Sequence, residues 1–181
     1  MSAVREGDEP IWLFAYGSLI WRPDIPVLNE RPAQAMGWMR RFWQGSHDHR
    51  GTPLAPGRVV TLVAQPGQFC EGVAYQLDQS VIKQTFEALD HREKNGYERA
   101  SIALQGSEGL RFDAVTYLAP PHNFAWLGDA PVEQMAVQIA QSHGPSGANR
   151  DYLFGLAEAL RARGVVDEHV FALESAVRQK I

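Results

Sequence analysis

A chain of 181 residues with 45% apolar side chains can bury a full hydrophobic core, which excludes general disorder and makes one globular domain the expectation. Its 17 basic and 21 acidic residues leave a net charge of -4 and are mixed along the sequence. That pattern offers no extended field for nucleic acid or anionic lipid, so any anionic ligand must meet a local cluster. Cys70 is the only cysteine, which excludes an intrachain disulfide and a CxxC metal or redox pair and fits a reducing compartment.

Met1 to Pro10 is acidic and without an apolar run, and is expected to be a flexible extension (1–10) ahead of a single domain (11–181). The first apolar run, Ile11 to Ala15, is far too short to span a bilayer, so the reading is a soluble cytoplasmic protein. Short segments rich in aromatic and β-branched residues predict strands at Ile11–Tyr16, Met36–Trp43, Arg58–Ala64, Cys70–Leu77, Glu98–Leu104 and Arg111–Leu118. Between them, Ile82, Phe86 and Leu89 recur at helical spacing and predict a helix over Val81–Glu93. The last third changes period. Helices are expected over Pro131–Ser142, Asn149–Arg163 and Asp167–Lys180, with Pro131 in a first turn, Gly144 and Gly164 as stops and Asp167 as an N-cap. Strands first and helices last predict an α+β fold whose sheet is closed or strongly curved.

Gly45 to Gly57 holds three glycines and two prolines without apolar periodicity, and is expected to be a long loop flanked by Arg40, Arg41, Arg50 and Arg58. It reads either as a functional loop or as an ordinary solvated one.

Few residues here carry chemistry. Glu93 is the next position on the Ile82–Phe86–Leu89 stripe, just before Asn95-Gly96 ends the helix. A carboxylate placed there is partly desolvated and meets the negative end of the helix dipole. Both effects raise its pKa, as suits a general base. The alternative is a buried ion pair with Arg58 or Arg41. Tyr16-Gly17-Ser18-Leu19 follows an apolar strand, and a glycine there lets successive N–H groups converge on an oxyanion or carboxylate, though a plain turn explains it too. His47 and His49 lack a nearby third ligand, so no metal site is expected. Cys70 reads as a packed core thiol. Gly144-Pro145-Ser146-Gly147 reads as an anion-holding helix start or a simple interhelical turn.

Six stretches in order, YGSLIW at Tyr16–Trp21, RRFWQGSHDHRG at Arg40–Gly51, PGRVVTLV at Pro56–Val63, GVAYQL at Gly72–Leu77, LDHREKNGY at Leu89–Tyr97 and GPSGANRDYL at Gly144–Leu153, make the chain resemble the ChaC-type, glutathione-specific γ-glutamylcyclotransferase family. The likeness runs from Ile11 to the C-terminus. Ala15, where relatives often have Gly, and Asn95, where a smaller residue is common, depart from the pattern. The resemblance implies a compact mixed sheet closed into a small barrel with helices packed around it. It further implies cofactor-independent cleavage of glutathione to 5-oxoproline and cysteinylglycine, with Glu93 as the catalytic acid/base and Tyr16, Gly17, Ser18, Leu19 and Ile20 as the substrate loop. Arg58 matches a pocket position and, with Arg41, would attract the anionic peptide. A monomer is expected, with no nucleic-acid or membrane partner. Two rival readings remain: a cyclotransferase for other γ-glutamyl amines, and a non-catalytic module that binds γ-glutamyl peptides.

Overall fold

The computed structural model describes residues 9–181, so residues 1–8 of the expected N-terminal extension lie outside the described residues. Five strands form a closed barrel: β1 (Trp12–Ala15), β2 (Val27–Ser46), β3 (Gly57–Leu77), β4 (Glu98–Gln105) and β5 (Arg111–Leu118), in the order β1-β3-β2-β4-β5. The seam closes where β1 meets β5 in parallel at Leu13 and Val115. Four helices accompany it: α1 (Ile82–Arg92), α2 (Val132–Gln141), α3 (Asn149–Ala162) and α4 (Glu168–Arg178). A two-stranded hairpin, β6 (His143–Gly144) with β7 (Gly147–Ala148), joins α2 to α3. No described helix is long and apolar enough to cross a membrane.

Strand β2 is much longer than the sequence suggested, because Val27–Ala35 belongs to it, and β3 joins the two strands expected at Arg58–Ala64 and Cys70–Leu77 into one through Gln65–Phe69. The β2–β3 pairing jumps from Met36 opposite Phe69 to Trp38 opposite Ala64, so Gln65–Gln68 bulge out of the ladder. Gly37 and Gly67 stand at that jump with φ of 83° and 82°, a backbone region open to glycine without strain. The bulge bends the ribbon. Its first half closes the barrel through β1 and β4, while its second half, Trp38–Ser46 with Gly57–Ala64, carries the helices.

The core is continuous across both parts. Leu13, Val73 and Leu104 are fully buried in the barrel, as are Met135, Ile139, Leu156, Leu160, Leu173 and Val177 on α2, α3 and α4. Each such aliphatic side chain contributes about 1.5–3 kcal/mol by leaving water. The helix boundaries hold largely as expected. Gly164 takes φ 70° just past α3, and Asp167 accepts the Val170 N–H at 3.0 Å. Pro131, however, precedes α2 as its N-cap in extended conformation, and Gly144 sits in β6 because α2 already ends at Gln141. The expected loop shrinks to residues 47–56, since Gly45, Ser46 and Gly57 pair in the ladder.

Arg40 is the largest side chain with almost no exposure, at 2%. Its Nε donates to Tyr16 O at 2.6 Å, Nη2 donates to Glu71 O, and Nη1 pairs with Asp167 Oδ2 at 2.6 Å. One guanidinium therefore ties the end of β1, the middle of β3 and the start of α4 to β2. Removing one partner of a buried pair leaves an uncompensated charge and costs about 3–5 kcal/mol. Asp167→Ala is expected to destabilise by that amount in urea unfolding. Asp167→Asn is expected to lose less, because its amide oxygen still caps the Val170 N–H.

Candidate active site

The residues that follow β1 make a tight turn. Gly17 leads into a short 3-10 turn, Ser18–Ile20, whose first internal hydrogen bond runs from Ile20 N–H to Gly17 O at 2.9 Å. The N–H groups of Gly17, Ser18 and Leu19 come before that bond and have no partner within the turn. Glycine is required by crowding here. A Cβ at position 17 would lie 2.9 Å from Val60 Cγ2 and 3.2 Å from the Tyr152 hydroxyl.

Across from this turn, α1 delivers Glu93. Leu89 is fully buried beneath it, and Glu93 itself caps the helix with its N–H bonded to Leu89 O at 2.9 Å. Its side chain is 17% exposed and pairs with Arg92 Nε at 3.6 Å. No hydrogen-bond donor among the described residues reaches its carboxylate. Burial raises the Glu93 pKa above the ordinary carboxylate value; Arg92 opposes that rise and Asp48 adds to it. The sequence alternative of an ion pair with Arg58 or Arg41 is not what forms, because neither arginine pairs with it.

Glu93 sits where two recesses meet. The inner one, about 40 Å³, is lined by the Gly17–Leu19 turn and by Tyr16, Tyr97, Tyr117 and Tyr152. The outer cleft, about 430 Å³, shares Ser18, Glu93, Tyr97 and Tyr152 with it and opens toward Asp48, Arg50, Arg92 and Ser146. The four tyrosines are fixed by hydrogen bonds: Tyr16 donates to Tyr117 O at 2.5 Å, Tyr97 to Val60 O at 2.6 Å and Tyr117 to Asp90 Oδ1 at 2.6 Å, while Tyr152 accepts from Val60 N–H at 3.4 Å. Burial holds all four phenols above their usual pKa, so they are neutral walls. Arg92 links the two sides of the site, donating to Ser18 Oγ at 2.9 Å and to Arg22 O at 2.8 Å.

The structure brings Tyr16, Gly17, Ser18, Leu19 and Glu93 together around one recess. Ile20 is buried behind the turn, its carbonyl taken by the Tyr75 hydroxyl at 3.1 Å. Arg58 and Arg41 line neither recess. The Arg58 guanidinium is committed to Gln138 Oε1 at 2.7 Å and to the carbonyls of Phe42 and Gly128 at 2.9 Å, where it fastens β3 to α2. Its backbone N–H and C=O are bridged by the fully buried Asn149. Arg41 lies on the opposite side of β2 from Arg40, bonded to Arg40 O and Met39 Sδ. In their place the cleft carries Arg50, one of the arginines that the sequence set around the 45–57 loop, together with Arg22 and Arg92, which sequence reasoning passed over. Tyr152 had one usable signal, since it shares the buried face of α3 with Asn149 and Leu156 at helical spacing. His49 Nδ1 lies 3.0 Å from Ser146 Oγ, and no cluster of three metal-ligating side chains occurs among the described residues. Cys70 is buried, and burial pushes its thiol up to about 11.

A small closed five-stranded barrel with helices packed on it is the γ-glutamylcyclotransferase-like fold. A crystal structure of a γ-glutamyl cyclotransferase specific to glutathione from yeast matches it with a TM-score of 0.89 at 29% identity, covering 95% of this chain and 97% of that one. The particular family follows from sequence: the model described as ChaC-like protein matches residues 11–180, and the chain belongs to that family. Its relatives include γ-glutamylcyclotransferase 2-3 of Arabidopsis thaliana, 43% identical over 93% of this chain and 88% of the relative. Another is the human glutathione-specific γ-glutamylcyclotransferase 1, 38% identical over 96% and 81%.

Two substitutions probe the site's energetics. Gly17→Ala is expected to cost about 1–3 kcal/mol in urea unfolding, from overpacking against Val60 and Tyr152. Glu93→Gln is expected to stabilise at neutral pH. A carboxyl whose folded pKa exceeds its unfolded one favours the fold below the unfolded pKa, and that advantage is lost as pH rises through the folded value. A neutral amide does not suffer this loss, so the gain in melting temperature should vanish on acidification and grow toward neutrality.

Proposed function

We propose that this protein is a γ-glutamylcyclotransferase that degrades glutathione to 5-oxoproline and cysteinylglycine, with Glu93 as its acid/base. The observation that carries the reading is the desolvated Glu93 carboxylate, free of hydrogen-bond donors, in a recess it shares with the Gly17 turn. The names of the yeast, plant and human relatives supply the reaction class.

A γ-glutamyl peptide carries its own nucleophile, because its α-amine can reach its own side-chain carbonyl and close a five-membered ring. Ring closure gains from holding the chain folded, which a turn of N–H groups beside tight tyrosine walls does. The α-amine, neutral after releasing one proton to solvent, attacks the γ-carbonyl carbon, and Glu93 takes the proton that this nitrogen sheds as the N–C bond forms. The carbonyl oxygen becomes an oxyanion, for which N–H groups of Gly17, Ser18 and Leu19 are the available donors; the same groups suit the α-carboxylate. Protonated Glu93 then delivers its proton to the cysteinyl nitrogen as the C–N bond breaks. Neither water nor an enzyme nucleophile is consumed. The raised pKa fits both halves of this role, since the group must accept and release a proton within one turnover.

Mass-spectrometric detection of 5-oxoproline from glutathione is the direct test. Glu93→Gln is expected to reduce its formation about 10²–10⁴-fold. Glutathione binding without product would identify a non-catalytic γ-glutamyl-peptide module instead, and equal turnover of γ-glutamylalanine would mean a broader cyclotransferase. In kcat/KM against pH, the acidic limb is expected above the ordinary carboxylate range. Asp48→Asn should move it downward, because the Asp48 charge helps to raise the Glu93 pKa.

A further inference from the structure

The outer cleft holds charges in unequal states. Arg92 is neutralised by Asp24 at 3.7 Å and Glu93 at 3.6 Å. Arg22, at the lip, is exposed and water screens it. Arg50 differs from both. It projects from the 47–56 loop, and its guanidinium is half-buried, with Nη1 donating to Ala148 O at 3.2 Å and the charge 5.9 Å from the Tyr152 ring centroid. No acidic side chain among the described residues forms an ion pair with it. Desolvation lowers its pKa and Arg22 adds to that fall, while Asp151 acts only from a distance and makes no ion pair with it.

The loop that presents it is built to hold one position. Arg50 N–H donates to Ser46 Oγ at 2.9 Å, Thr52 and Ala55 bond each other's backbone, and Ser146 N–H donates to His49 O at 2.9 Å. A Cβ on Gly51 would lie 2.1 Å from Gly57 N, and one on Gly144 2.3 Å from His49 O. An arginine held in this way by backbone is preorganised for a planar anion, and its fork matches a carboxylate. The inner recess, about 40 Å³, is too small to take a whole γ-glutamyl peptide. The remainder must extend through the outer cleft, which Arg50 lines.

We infer that Arg50 is a specificity-determining residue that binds the C-terminal carboxylate of a γ-glutamyl peptide, so that the free acid at the far end of the substrate is read as well as the γ-glutamyl group. This rests on the cyclotransferase reading above. Truncated γ-glutamyl amines, which lack that carboxylate, leave the Arg50 charge uncompensated and bind poorly.

The test compares kcat/KM for glutathione and for glutathione amidated at its glycine carboxyl, using the wild type, Arg50→Gln and Arg50→Lys. A charge-assisted carboxylate contact is expected to favour the free acid about 10- to 100-fold in the wild type, mainly through KM. Arg50→Gln should bring the ratio of the two substrates toward one, and Arg50→Lys should restore part of it. Equal wild-type rates on both substrates would overturn the carboxylate subsite and leave the cyclotransferase reading standing. Equal proportional losses on both substrates in Arg50→Gln would also overturn it, by assigning Arg50 to the scaffold. Absence of 5-oxoproline from either substrate would overturn the cyclotransferase reading and this inference together.

Discussion

A single buried guanidinium sets the geometry on which the site depends. Arg40 has no water to solvate it, so its charge must be met by the Tyr16 and Glu71 carbonyls and the Asp167 carboxylate. These acceptors lie far apart in sequence and on three different elements. The charge is satisfied only when β1, β3 and α4 have all docked on β2, which couples barrel closure to helix packing. The Tyr16 carbonyl is the last fixed point before the Gly17 turn, so the turn inherits its position from that guanidinium. A hydrophobic residue of similar size would fill the space without specifying where the β1 terminus must lie.

Around that fixed point the site combines opposing demands. The carboxylate of Glu93 is held out of water and against the unfavourable end of α1, at a cost to the folded state at neutral pH. The fold bears it because neighbouring groups bond to one another. The tyrosine hydroxyls pair with Tyr117 O, Val60 and Asp90, and Arg92 is shared among Ser18, Arg22, Asp24 and Glu93. What remains is an acid whose proton is not committed to any protein acceptor, which is the property that proton transfer to and from a ligand requires.

Much of this was legible in sequence where the signal was local. The stripe of Ile82, Phe86 and Leu89 placed Glu93 inward, Gly17 after an apolar strand marked the turn, and Asp167 marked a helix start. Long-range pairing was not legible. Val27–Ala35 reads as polar and contains Pro32, since much of it faces solvent, and it becomes a strand only because β3 pairs with it. Arg40 and Arg41 are chemically identical, and strand alternation sends one into the core and the other out. Which goes inward is fixed by the irregular register between Met36 and Gln44, a property of the whole ribbon. Arg58 was misplaced for the same reason: a basic residue beside a glycine-rich loop looks available until Gln138, Phe42 and Gly128 are seen to occupy it.

The buried state of Cys70 carries one more implication. Disulfide exchange needs a thiolate within reach of an incoming sulfur, and a thiol pushed up to about 11 beneath the β2–β3 ribbon is neither ionised at neutral pH nor approachable. As the chain has no other cysteine, a ligand that itself bears sulfur has nothing to couple to, in either its reduced or its oxidised form. The protein is therefore insulated, in the folded state, from the redox balance of the thiol pool around it.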